Sequence, residues 1–152
     1  MIQKRIQQLW KQEECPLLDG ILYADGTLIT LEISDYPERN GYPLELIVKS
    51  IRSIEDYEHN VNLTPICKEY FSNGGIICGG SSYGSEGFVA IQKVDGSLLW
   101  IALFDNSNPF VELKLLSKYF IQVKNNLDEY WLFCIQEPSK VVISDVQFKD
   151  GS

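Results

Sequence analysis

Apolar residues open the chain at helical spacing. Ile2, Ile6, Leu9 and Trp10 stand four, three and one apart in MIQKRIQQLWKQEE, which places them on one stripe of a helix that Pro16 ends. Trp10 lies on that stripe and is read as core. From residue 20 the period changes to two. GILYADGTLITLEI sets two β-rich runs about Asp25-Gly26, a pair that supplies the positive φ of a tight hairpin turn. PLELIVKSIRSI then alternates Leu44, Leu46 and Val48 with Glu45, Ile47 and Lys49 and predicts a third strand. Residues 55–63, EDYEHNVNL, are polar and acidic and are expected at the surface.

Thr64-Pro65 has the chemistry of a helix start, a capping hydroxyl followed by proline at the first helical position. The pattern predicts a short helix over PICKEYFSN, presenting Ile66, Tyr70 and Phe71 to the core and stopping at Gly74. The next stretch, residues 74–110, ends in a loop of Asp, Asn and Ser and opens with six of the eleven glycines within fourteen residues, an opening that reads as a glycine-rich loop needing positive φ or close approach to something. It leads into a hairpin, FVAIQKV and SLLWIALF joined by Asp95-Gly96, whose second strand is apolar on both faces. A strand with no polar side belongs in the middle of a sheet covered on both faces. FVELKLL, YFIQVKN, YWLFCIQ and KVVISDVQF continue the strand pattern to the end. The two Asp-Gly hairpins, each followed by an acid, a turn loop and a proline before another strand, suggest an internal echo.

These elements predict one α+β domain over residues 1–152, an antiparallel β-sheet packed by the N-terminal helix and one short central helix. The length suits a single core. The net charge of −8, from 13 Lys and Arg against 21 Asp and Glu, argues against phosphate neutralisation and so against nucleic-acid binding. It suits solubility, or steering towards a basic partner. The four cysteines form no C-x-x-C pair, which gives zinc and dithiol chemistry no support. With residues 1–14 too polar for a signal peptide and no apolar run near the roughly 20 residues of a membrane helix, the expectation is a reduced, cytoplasmic protein away from membranes. No feature of the sequence sets the oligomeric state.

Candidate chemistry is sparse. His59, the sole histidine, lies in a polar acidic run that offers no pocket to orient an imidazole. The glycines fit neither phosphate-loop spacing, and they precede a strand where those motifs precede a helix, so no nucleotide or other cofactor is expected. Glu55, Asp56 and Glu58 lack a calcium-loop pattern, and no metal site is expected. Glu86 and Asp105 flank the central hairpin, an arrangement that a small acid/base enzyme uses. The arrangement also arises at the open end of any hairpin with acids on both sides. The favoured expectation is recognition without catalysis. Ser81, Ser82, Tyr83 and Glu86 on one loop face Asp105, Asn106, Ser107 and Asn108 on the other, and Tyr with Ser, Gly and Asn is the chemistry of adaptable binding loops. A structural or adaptor role, with two polar loops that only turn the chain, is the third reading.

Leu63-Thr64-Pro65, Lys68-Glu69-Tyr70-Phe71 and Asn73-Gly74-Gly75, followed by glycines and a strand, Asp-Gly, strand hairpin, resemble the central pattern of the SUKH superfamily of bacterial immunity proteins over residues 63–105. A Thr precedes the proline where that pattern usually has Leu, and a helix and three predicted strands come before it. The resemblance implies a small cytoplasmic α+β protein that binds and neutralises a toxin domain, often a nuclease with a basic surface.

Overall fold

The computed structural model describes residues 2–33, 42–54 and 59–149. In chain order the elements are α1 (Ile2–Lys11), β1 (Glu14–Pro16), β2 (Gly20–Tyr23), β3 (Thr27–Ile33), β4 (Leu44–Ser53), β5 (Asn60–Phe71), β6 (Gly74–Ser81), β7 (Gly87–Lys93), β8 (Leu98–Phe104), β9 (Phe110–Leu115), β10 (Phe120–Asn125), β11 (Tyr130–Cys134) and β12 (Val141–Ser144). The strands form one sheet in the order β1-β5-β6-β7-β8-β2-β3-β4-β12-β11-β10-β9. Every neighbouring pair is antiparallel. The strip curls into a half-barrel.

The curl follows from where the apolar residues point. Alternate positions of β2, β6, β7 and β8 (Ile21, Ile76, Val89, Trp100) meet those of β10, β11 and β12 (Ile121, Phe133, Ile143) in one interior core. The opposite positions of the first set (Leu22, Ile77, Phe88, Ile101) form a second core on the outside, closed by Ile6 of α1 and by Cys15 and Leu18. Strand β8 is therefore covered on both faces, as its lack of a polar side predicts. The helical stripe is also used as expected: Ile6 is buried, and Ile2 and Trp10 pack against the outer core. Trp10 Nε1 donates to Gly96 O at 3.0 Å, so α1 docks on the β7–β8 turn.

The α+β expectation is corrected. Among the described residues the fold is antiparallel β-sheet with α1 as its one helix, and residues 64–71 belong to β5. The predicted central helix fails because β6, buried along its whole length, needs a hydrogen-bonded partner on each side. One side is β7 and the other is β5, which runs from Leu63↔Ser81 to Phe71↔Gly74 with a bulge between Pro65 and Cys67. Ile66 and Tyr70, assigned to the core by helical spacing, are exposed.

The glycine-rich loop is likewise a strand for most of its length: residues 74–81 are β6, and only the turn from Ser82 to Glu86 is loop. The close approach that the glycines signal is to the chain itself. A Cβ on Gly79 would come within 2.1 Å of Thr64 O, and one on Gly87 within 2.3 Å of Asn108 O. These positions let the β5 bulge and the entry to β9 lie directly on the backbone of β6 and β7.

The echo between the hairpins stops at local chemistry. β3 pairs with the strand that follows it, whereas β9 leaves β8 and pairs with β10. Part of the polar run 55–63 is also reassigned: residues 55–58 lie outside the described residues, His59 is exposed, and Val61 and Leu63 are buried. β4 pairs with β3 along most of its length but with β12 only at Leu44 and Glu45. Its far edge carries Lys49 and Arg52, charges that discourage edge-to-edge pairing. No described helix is long and apolar enough to cross a membrane.

Candidate functional site

The two loops flanking the central hairpin are brought together, because Gly87 pairs with Phe104 at the open end of β7 and β8. The Asn108 N–H donates to Ser85 O at 2.8 Å and joins the loops directly. Asn108 takes φ of 62°, a left-handed conformation that Asn tolerates better than most residues, and its amide donates to Asn126 Oδ1 at 3.0 Å.

The proposed contact residues fall into two groups. Ser82, Tyr83 and Asn106 are exposed, Tyr83 by 63 %, while Asp105 and Asn108 are half-buried. Ser81 and Glu86 are buried and serve the loop's own structure. Ser81 Oγ donates to one Glu86 carboxylate oxygen, and Ser85 Oγ donates to the other at 3.0 Å. Ser81 Oγ also accepts the Tyr83 N–H at 3.2 Å, which closes the turn beneath the exposed tyrosine. Glu86 is thus an internal anchor, with both oxygens occupied.

Asp105 turns to a different acid. Its N–H donates to Asp19 Oδ1 at 2.8 Å. Burial raises the Asp19 pKa above the usual carboxylate range; the Asp105 N–H pulls it back, and the Asp105 charge pushes it up again. Both acids sit at the mouth of a cavity of about 400 Å³ at one end of the curled interior. Leu31, Phe104, Trp131 and Ile143 are its buried wall, and Leu44 and Leu46 are half-buried beside them. Glu32 and Glu129 complete a set of four carboxylates around it. Among the described residues none of the four forms an ion pair.

Glu129 is held in place by neutral donors. One carboxylate oxygen accepts from Tyr42 OH at 2.8 Å and the other from Asn125 Nδ2 at 2.7 Å. Tyr42 pays with a raised pKa, chiefly because its hydroxyl proton is bound to that carboxylate. Asn125 is buried, and it also donates to Ser107 O at 2.9 Å while accepting the N–H groups of Leu127 and Glu129. One amide therefore ties the loop after β8 to the turn before β11. Trp131 is 6 % exposed, and its indole N–H has no hydrogen-bond partner among the described residues. Such an unmatched buried donor costs about 1–3 kcal/mol.

Asp19, Glu32, Glu129 and Trp131 carry no local sign of a site. They come from β2, β3 and β11 or their ends and meet only through the sheet order. Among the described residues no three Cys, His, Asp or Glu side chains converge as a metal site. No family model matches the chain, and neither a curated protein nor a solved structure matches it.

Proposed function

We propose that the chain is a binding protein that engages a basic protein surface through the paired loops at the open end of β7 and β8. The observation that supports this most is the 2.8 Å bond from Asn108 N–H to Ser85 O, which fixes the exposed Ser82, Tyr83 and Asn106 on one support beside Asp105. Tyrosine gives a contact area that loses little conformational freedom on binding. The net charge of −8 favours fast encounter with a basic partner.

The specific form of this reading is an immunity protein that neutralises a bacterial toxin domain, acting in the cytoplasm. Its support is the resemblance over residues 63–105 together with the charge; the helix expected within that segment is β5. Catalysis by Glu86 and Asp105 has less behind it, because both Glu86 oxygens are taken by serine hydroxyls.

The test is co-expression with the toxin-like product of an adjacent gene, followed by titration of the purified pair. Growth rescue is expected, with an affinity that falls about tenfold or more in Tyr83→Ala and Asp105→Lys and weakens with salt. A complex that forms with unchanged affinity in both variants places the interface elsewhere and rejects this surface.

A further inference from the structure

The four cysteines stand apart in the sequence, and the sheet brings two of them together. β5 and β6 set Cys67 directly opposite Cys78 in their antiparallel register, so both side chains leave the same face, towards the interior core. Residues opposite each other in an antiparallel pair have Cα atoms about 4.5–5.5 Å apart, inside the roughly 4.4–6.8 Å that a disulfide spans. The two groups are close enough for the Cys67 side chain and backbone both to bear on the Cys78 thiol. Cys15 and Cys134 have no such neighbour, since they stand opposite Val61 and Phe120. No C-x-x-C spacing announces the pair, because its members come from two strands.

We propose that Cys67 and Cys78 form a reversible oxidation site whose co-reactant is a small hydroperoxide. Cys67, the partly exposed member, reacts first. Its sulfur attacks one oxygen of hydrogen peroxide, the O–O bond breaks, and the products are a Cys67 sulfenic acid and one water. The Cys78 sulfur then displaces the sulfenic hydroxyl, which leaves with the Cys78 proton as a second water. Two thiols lose two electrons and two protons, peroxide gains them, and one S–S bond forms. Burial raises the Cys78 thiol far above its usual pKa and spares it direct attack by peroxide, which sets the order of the steps. It also slows the second step, and the proximity of the two groups offsets that.

The bond is made to be reversible. Cβ atoms of directly opposed residues lie about 4.5–5.5 Å apart, wider than the roughly 3.5–4.5 Å of a relaxed disulfide. The bulge between Pro65 and Cys67 gives the backbone room to close part of that gap, and what remains is strain. Strained disulfides are the readily reduced ones. Closure also acts on the neighbouring strand. Cys67 Sγ donates to Val111 O at 3.1 Å and Cys78 Sγ to Phe110 O at 3.7 Å, and a disulfide has no proton for either carbonyl. Oxidation therefore loosens β9 where it meets β5 and β6.

The experiment exposes the full chain to about a fivefold excess of hydrogen peroxide, blocks remaining thiols with N-ethylmaleimide in denaturant, and maps the peptides without reduction. A Cys67–Cys78 cross-link is expected before any change at Cys15 or Cys134, and reduced glutathione at about 5 mM should undo it. Hydrogen exchange should be about threefold or more faster in β9 of the oxidised chain than of the reduced one. Cys67→Ser, at the partly exposed position, should leave Cys78 unmodified. Cys78→Ser alters the core, so the mapping of the unaltered chain carries the test, and a dimedone adduct on Cys67 in that variant adds the sulfenic intermediate.

Conversion of Cys67 to sulfinic acid while Cys78 stays free overturns the pair, as does earlier cross-linking through Cys134. Oxidation of Cys78 in Cys67→Ser overturns the order of the steps. A cross-link that glutathione leaves intact overturns its reversibility, and unchanged exchange in β9 overturns the loosening. None of these results bears on the toxin-binding reading, whose contact residues include neither cysteine.

Discussion

The side-chain amide of Gln7 closes a two-bond ring with the backbone of Leu98: Gln7 Nε2 donates to Leu98 O at 2.9 Å, and Leu98 N donates to Gln7 Oε1 at 2.8 Å. The helix thereby hydrogen-bonds the first residue of β8, which lies beyond the last β2–β8 pair, Tyr23↔Trp100. Gln7→Ala should lower stability by about 1–3 kcal/mol, the net value of two such bonds. Gln8→Ala, on the exposed side of the same turn, should change it by less than about 0.5 kcal/mol. Urea unfolding checks both, with a shifted midpoint and an unchanged slope expected for Gln7→Ala.

Gly79 and Gly84 should respond differently to the same added methyl. At Gly79 the new Cβ meets Thr64 O at 2.1 Å, so β5 must move off β6, and Gly79→Ala should cost more than about 3 kcal/mol or prevent folding. At Gly84 nothing lies within 4 Å and only the φ of +92° resists, so Gly84→Ala should cost about 1–2 kcal/mol. Similar melting temperatures for the two variants would contradict the close packing of β5 on β6.

Asp19 gives the fold a defined pH response. Burial raises its folded-state pKa above the ordinary 3.8, so between those two values the folded chain holds more protons than the unfolded chain. Stability then falls as pH rises through that window, and above it the penalty is fully in place. Asp19→Asn keeps the oxygen that accepts the Asp105 N–H and removes the charge. The variant should be more stable than the parent at about pH 7, and the gain should vanish at about pH 3.5. Urea midpoints of both proteins at the two pH values decide it, because acids remote from Asp19 cancel in the difference and its neighbour Asp105, relieved of a like charge, adds to the gain at neutral pH. A less stable variant at neutral pH would mean that the Asp19 charge is compensated.

The four free thiols should divide into two classes. Cys15 and Cys78 are buried, and desolvation pushes both thiols far above their usual pKa. Cys67 and Cys134 are partly exposed. Iodoacetamide at about pH 8 should label Cys134 and Cys67 in the folded protein and reach Cys15 and Cys78 only after denaturation. Mass spectrometry of timed samples reads the order, and early labelling of Cys78 would place it outside the interior core.

Strands and tight turns were legible because their signals are local. At Asp25-Gly26 and Asp95-Gly96 only the glycines take positive φ, 96° and 89°, and Asp25 and Asp95 instead each accept the N–H two residues on at 2.9 Å. Residues 64–71 were misread because Ile66, Tyr70 and Phe71 happen to stand at helical spacing, while the demand that makes them a strand comes from β6. Local pattern cannot register a partner's unpaired backbone.

The candidate site divides in the same way. Tyr83, Asp105 and Asn106 stood out as loop residues beside a strong hairpin. Glu32 and Trp131 sit in ordinary alternating strands, and β3 and β11 come near each other only because β4 and β12 join the halves of the strip. Glu86, chosen for its charge, is buried beneath two serines whose role only the turn's geometry reveals.

The line where the curled strip returns on itself has a mechanical meaning. Between β9 and β5 there is no strand pairing among the described residues; Cys67 Sγ donates to Val111 O at 3.1 Å, and Cys78 Sγ lies 3.7 Å from Phe110 O. In a closed barrel, strand number and shear fix the diameter. Here the bore is set by side-chain volume along a seam of thiols and carbonyls, so its width can vary continuously without any rung of backbone hydrogen bonds being exchanged.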